Sequence, residues 1–252
     1  MKKPAAIETR GLIKRFDTTV AVDGLDLCIP PGMFYGLLGP NGAGKSTTVS
    51  LLTGTRRASG GEILLEGRPL DPDDPAFKHL LGVVPEEPPL FERLRGAEML
   101  VFTARMFGME RDQAATRAEE LLALLGLTAQ SQGLIADYSR GMKKKLAIAC
   151  ALIHAPRLLF FDEPFEGVDA LSADTIRRVL TGLTARGATV LLTTHILEMA
   201  ERICDRVGII HHGKLVREVD RDALAASPGS LADLFREVVG GDEPRAALPE
   251  WL

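Results

Sequence analysis

The chain has 252 residues, 46% of them hydrophobic and 25% charged, with a formal net charge of −4. That length and balance suit an ordinary folded protein with a sizeable core, as one large domain or two modest ones. The acidic net charge argues against a general nucleic-acid binder, which is usually basic.

The opening "MKKPAAIETRGLIKRF" starts with lysines, but Glu8, Arg10 and Lys14 interrupt any apolar stretch, so no cleaved leader is expected. No apolar run approaches the roughly 20 residues of a membrane-spanning helix. In "LDLCI", Leu25, Leu27 and Ile29 alternate onto one face of a strand, and "MFYGLL" reads as a buried strand. "GPNGAGKSTT" follows, and then a helix through Leu51 and Leu52. "GEILLEGRPL" and "LLGVVP" are expected to form another strand pair.

From Arg95 to about His154 the pattern turns helical, in "AEMLVFTARMFGM", in "DQAATRAEELLALLGL" with Gly126 as its stop, and in "YSRGMKKKLAIACALIHAP". Strand and helix then alternate: "RLLFF", a helix from Ser172 to Ala185, "ATVLLTT", a short helix at "ILEMAERIC", and a hairpin turning at Gly213. The spacing therefore predicts an α/β core with a helical insertion at about residues 90–155. Ser230 and Asp233 look like the start of a last helix, whose stripe of Leu231, Leu234, Phe235, Val238 and Val239 is expected to pack on its own domain. "GDEPRAALPEWL" is expected to be flexible. Cys28, Cys150 and Cys204 sit in apolar stretches without close pairing and are read as buried, reduced thiols of a cytoplasmic protein. His211 and His212 match no metal spacing and are read as turn residues.

Two motifs carry chemistry. "GPNGAGKS", Gly39 to Ser46, fits G-x-x-x-x-G-K-[ST] between a strand and a helix. Its glycines let backbone N–H groups converge on phosphate oxygens beside a positive helix terminus. Lys45 can then reach the β- and γ-phosphates, and the Ser46 hydroxyl can bind Mg²⁺. Asn41, Gly42, Gly44 and Thr47 complete the candidate contacts. "RLLFFDEP" ends a buried strand in Asp162, suited to Mg²⁺, and Glu163, suited to polarising an attacking water.

With "YSRGMKKK" before that acidic pair, and "EGVD" and "TTH" after it, the chain resembles the ATP-binding subunits of ABC transporters over roughly residues 7–220. The resemblance implies a P-loop NTPase of the ABC ATPase type at 1–220, a mixed β core with a helical subdomain, followed by a C-terminal helix and tail at 221–252. It also implies hydrolysis of ATP with Mg²⁺. Two cassettes would close head to tail, as a homodimer or with a second cassette, on a separate membrane-spanning partner at the inner face of the cell membrane. Ser139 and the Gly141 N–H would meet the γ-phosphate held by the other cassette, and Asp169 would reach across the dimer. Phe16 would stack on adenine and Val22 would cover the same base. His195 would contact the γ-phosphate and hold the water near Glu163. Lys144 and Lys145 are read as a solvated face.

Two positions depart from the family pattern. Arg140 and Met142 stand where the usual L-S-G-G-Q has its first glycine and its glutamine, which resembles a branch serving bacterial exporters. Glu86 stands where the family has a glutamine that touches Mg²⁺ and the membrane subunit; a carboxylate accepts a metal-bound water but cannot donate as an amide does. Among rivals, a P-loop GTPase needs N-K-x-D, and the single asparagine is Asn41. A small-molecule kinase has no use for "YSRGM" or His195. A non-transport cassette acting as a switch on nucleic acid or the ribosome is the alternative; it lacks support, because no long coiled-coil insertion or second cassette is present. No nucleic-acid partner is expected.

Overall fold

Apolar runs bounded by turn residues become the buried strands of a mixed sheet. The structure, a computed structural model, describes residues 4–226 and 229–240. In it β3 (Phe34–Leu38), β7 (Leu158–Asp162) and β8 (Thr189–Thr194) are buried along their whole length, as parallel strands covered on both faces must be. β6 (Leu81–Val84) lies parallel beyond β7 and β9 (Arg206–His211) beyond β3, while β10 (Lys214–Asp220) closes that edge antiparallel to β9. Alternation makes each strand feed two cores. Leu159, Phe161, Val190 and Leu192 enter one, and Leu158, Phe160 and Leu191 the other. Each such side chain contributes about 1.5–3 kcal/mol through burial.

A second, antiparallel sheet has the order β2-β1-β4-β5, from β1 (Ile7–Phe16), β2 (Thr19–Ile29), β4 (Gly60–Leu65) and β5 (Arg68–Pro69). Between the sheets, α1 (Lys45–Leu52) contributes Val49, Leu51 and Leu52 to the second core. In β2 the alternation buries Leu25, Leu27 and Ile29. The same alternation turns Cys28 outward, so it is exposed rather than buried; Cys150 is half-buried, Cys204 is buried, and all three are free thiols. The expected pairing of "GEILLEGRPL" with "LLGVVP" does not occur. Glu66 and Gly67 take positive φ angles of 50° and 77°, which folds the first segment back as the β4–β5 hairpin, and β6 pairs with β7 instead. The short helix α2 (Pro75–Leu80), not expected from the sequence, starts where Asp74 caps it and Pro75 supplies a preset φ.

The helical insertion consists of α3 (Gly96–Met106), α4 (Arg111–Leu124) and α5 (Arg140–Leu152), and Leu100, Leu122 and Leu146 carry it onto the first core. After β7 come α6 (Ala170–Ala185), then α7 (Leu197–Ile203) after β8, and the β9–β10 hairpin turns at His212 and Gly213 with φ of 46° and 76°. Past the hairpin lie α8 (Arg221–Ala225) and α9 (Leu231–Val239). Ser230 and Asp233 cap α9 reciprocally, Leu231 is fully buried, and Leu234 and Phe235 pack partly on the first core. Val238 and Val239 stay half-buried. The segment "GDEPRAALPEWL" lies outside the described residues. Among the described residues no helix is long and apolar enough to cross a membrane.

Because Leu231 anchors α9 in the first core, Leu231→Ala is expected to cost about 2–4 kcal/mol in urea unfolding. The exposed Glu237→Ala on the same helix should stay within about 0.5 kcal/mol of wild type. Equal effects of the two would mean that α9 contributes nothing to the core.

Candidate active site

The chain must turn sharply between the end of β3 and the start of α1. Gly44 does this with φ of 106°, and its Cα lies so close to the Ala21 carbonyl that a side chain there would overlap it. Lys45 is buried and donates from Nζ to the Gly39 carbonyl at 2.8 Å. The same Nζ lies 3.6 Å from Glu163 Oε1. One ammonium thus links its own loop to the acidic end of β7.

Thr193, at the end of β8, fixes that acidic end. Its Oγ1 donates to Asp162 Oδ1 at 2.5 Å and accepts the Glu163 N–H at 3.2 Å. Glu163 adopts φ of 48°, a left-handed conformation that costs a non-glycine residue about 1–3 kcal/mol and persists where the surroundings impose it. Its Oε2 accepts from the His195 N–H at 3.3 Å and lies 3.1 Å from His195 Nδ1. The His195 side chain is half-exposed, whereas both acidic residues are nearly buried.

These groups surround a cavity of about 430 Å³. The expected loop residues Asn41, Gly42, Gly44, Lys45, Ser46 and Thr47 line one side; Glu86, Glu163 and His195 line the other. Asp162 sits behind the wall and is not part of the lining. Glu166 and Ala21, neither of them expected from the sequence, complete the lining together with Pro40 and Ala43. The Ser46 hydroxyl, Glu86 and Asp162 are hard oxygen donors of the kind Mg²⁺ takes. Among the described residues no three His, Cys, Asp or Glu side chains gather as a metal cage. Mg²⁺ needs no such cage, because it retains waters and phosphate oxygens.

A second group lies apart from this cavity. Ser139 caps α5 by accepting the Met142 N–H at 3.2 Å, and Asp169 caps α6 by accepting the Ser172 N–H at 2.9 Å. Hydrogen bonds from Ser172 hold the Asp169 carboxyl below its usual range. Gly141 lies between the two caps, where a side chain would run into Asp169 Oδ2 and Ser172. Apart from Phe16 and Val22, the expected residues therefore form two clusters, one around Lys45 and one around Gly141.

Two expectations need correction. Val22 cannot cover a base: it is fully buried in the core, because on β2 its neighbour Ala21 takes the cavity-facing side of the alternation. Lys144 is not on a solvated face either. It is only 4% exposed and donates to the Glu86 carbonyl at 2.8 Å, since its side of α5 packs on the loop after β6. Burial draws its pKa down, against the pull of Glu86 and Glu166. Lys145 is half-buried. The Glu86 carboxyl is pushed up by desolvation at the wall and then by Glu166, Asp162 and Glu163, with Lys144 opposing. Phe16 stands partly exposed at the end of β1 and outside the cavity lining, with Lys14 Nζ 5.0 Å and the Arg56 guanidinium 5.4 Å from its ring centre.

The ABC transporter family model matches residues 22–166. The daunorubicin/doxorubicin resistance ATP-binding protein DrrA of Streptomyces peucetius is 40% identical over 225 residues, which cover 89% of this chain and 68% of that protein. The linearmycin resistance ATP-binding protein LnrL of Bacillus subtilis is 36% identical, over 83% of this chain and 68% of its own length. A solved ATP-binding subunit of an ABC transporter superposes with a TM-score of 0.84 at 30% identity, covering 92% of this chain and 99% of that one.

Thr193→Val keeps the side-chain shape but leaves the buried Asp162 carboxylate without its hydroxyl donor. It is expected to lower stability by about 1–3 kcal/mol in urea unfolding at neutral pH. Unchanged stability would leave the acidic pair held by backbone alone.

Proposed function

The chain belongs to the ABC transporter family, and from that membership we propose that it is the ATP-hydrolysing subunit of an exporter, dimerising on a separate membrane-spanning partner at the cytoplasmic face. The observation that carries the reading is the position of Lys45, 2.8 Å from the Gly39 carbonyl and 3.6 Å from Glu163 Oε1 at the wall of one cavity. A cation so placed can take the β- and γ-phosphates of ATP while Glu163 faces the bond to be broken. The resistance names of the two relatives support export.

In this reading the backbone N–H groups of the loop from Asn41 to Thr47 cradle the phosphates, and Lys45 adds a charged donor. Ser46, Asp162 and Glu86 would hold Mg²⁺, which when bound offsets the negative charge of the phosphate oxygens. Thr193 keeps Asp162 in register for that role. Glu163 accepts the proton of the attacking water, and His195, beside its Oε2, orients the carboxylate and faces the γ-phosphate. Phe16, exposed at the end of β1, would stack on adenine. Ser139, Gly141 and Asp169 lie outside the cavity of their own chain, so they serve the nucleotide of a second cassette arranged head to tail.

Lys45→Ala removes a charged hydrogen bond worth about 1.5–3 kcal/mol and is expected to weaken ATP binding by roughly 10- to 100-fold. Titration of a fluorescent ATP analogue measures this, and undiminished affinity would overturn the phosphate-loop assignment.

Glu163→Gln is expected to slow hydrolysis by about 10²–10⁴-fold with binding intact, so that an ATP-bound dimer accumulates on size-exclusion chromatography. Adding Ser139→Arg to the same protein should abolish that dimer by placing bulk against the facing phosphate. A dimer that persists in the double variant would remove Ser139 from the interface.

A further inference from the structure

The wall of the nucleotide cavity has a second face. Glu86 and Glu166 line the cavity around Lys45, and both also line a neighbouring cavity of about 210 Å³ on the side of α5. That second cavity gathers the carboxylates of Glu86, Glu87, Glu92 and Glu166 with the cations of Arg140, Lys143 and Lys144. Lys143 is paired with Glu92 at 2.6 Å. Arg140 lies against the Gly167 backbone, so closely that a side chain at Gly167 would overlap its guanidinium. Lys144 is the buried member of the three, and its ammonium reaches the main chain of Glu86 itself.

A buried ammonium bonded to a neutral carbonyl needs a carboxylate nearby to offset its desolvation. Here Glu86 and Glu166 provide it from the shared wall. The benefit runs in the other direction as well. Two carboxylates at the edge of a triphosphate site repel the nucleotide, and a fixed cation behind them reduces that field.

We propose that Lys144 is a positioning residue for the ATP site, acting through Glu86: it ties the loop after β6 to α5 and offsets the charge of the Glu86 carboxylate on the shared wall. The inference rests on the ATPase reading above. On this account the glutamate and the lysine are a matched pair, so neither is tolerated well without the other.

The test is a double-substitution cycle in steady-state ATP hydrolysis with Mg²⁺. Lys144→Gln keeps a donor for the Glu86 carbonyl but removes the charge. It is expected to raise KM for Mg-ATP by about five- to tenfold, the size of coupling that residues in contact show. Measured against the Glu86→Gln single variant, adding Lys144→Gln should raise KM by less than about twofold, as expected when the charge it offsets is already gone. Lys144→Arg, which keeps the cation, should stay close to wild type. An equal rise in KM from Lys144→Gln with and without the Glu86→Gln substitution would overturn the charge pairing and leave Lys144 a mere tether, as would no rise at all. If Lys144→Gln folds only in company with Glu86→Gln, as read by thermal melting, the pairing stands. If it folds in neither background, the lysine serves the fold and the proposal fails. Absence of ATP hydrolysis in the wild-type chain bound to its membrane partner would sink the ATPase reading itself, an outcome separate from any pattern among the variants.

Discussion

A buried lysine and a buried glutamate 3.6 Å apart are the constraint around which the rest is arranged. Neither charge is tolerated in an apolar interior without a partner, and removing one from such a pair typically costs about 3–5 kcal/mol. The two residues come from elements far apart in sequence, the first turn of α1 and the end of β7. Bringing them together requires β3 and β7 in one parallel sheet with β8 between them, which is the observed order. It also requires a loop before α1 that returns close to its own strand, and Gly44 makes that return possible. Between them, β8 supplies Thr193 to hold the acidic pair and, just past its end, His195. Thus three neighbouring strand ends deliver the groups around Lys45, and the burial of those strands on both faces makes their positions rigid.

The helical insertion contributes differently. It packs on the first core through α3, α4 and α5 and contributes no residue of its own to the lining of the nucleotide cavity. Its influence passes through the loop after β6, where Lys144 holds the Glu86 main chain. That contact joins the insertion to the sheet at the wall of the site, so a rotation of α5 relative to the sheet would move Glu86 with it.

Legibility in the sequence follows how local each signal is. The loop from Gly39 to Ser46 and the acidic pair are readable because backbone turn, helix start and charged residue all lie within one short stretch. The buried strands and the α9 stripe are readable from periodicity. What the sequence hides depends on how elements meet. Thr193 sits inside the quoted "TTH", yet its role requires the neighbouring strand to present Asp162. Ala21 and Val22 exchange roles through a one-residue question of face, which alternation in β2 answers, as it also does for Cys28. The pairing of β6 with β7 depends on the Glu66–Gly67 turn, a dipeptide whose left-handed φ values fold β4 back first. Lys144 looks like a surface lysine because three cations in a row suggest solvent, whereas the helix turns Lys143 onto Glu92 and Lys144 onto the Glu86 carbonyl.

The two helix caps near Gly141 bear on the proposed pairing of two cassettes. Ser139 accepts the Met142 N–H, which leaves its hydroxyl hydrogen available for donation. Asp169 spends its oxygens on the start of α6, so it offers orientation and no donor. Gly141 brings the α5 backbone close to both, and the positive end of α5 adds a field that favours an anion. Ser139 and the start of α5 thus present donors suited to an anion, yet they stand away from the cavity where their own chain would hold phosphate. Lys45 and Glu163, conversely, line a cavity to which Ser139, Gly141 and Asp169 of the same chain contribute nothing. Each cluster offers half of what a triphosphate needs to be enclosed. On the proposed reading, two copies placed head to tail would bring the halves together twice, with ATP as the bridge.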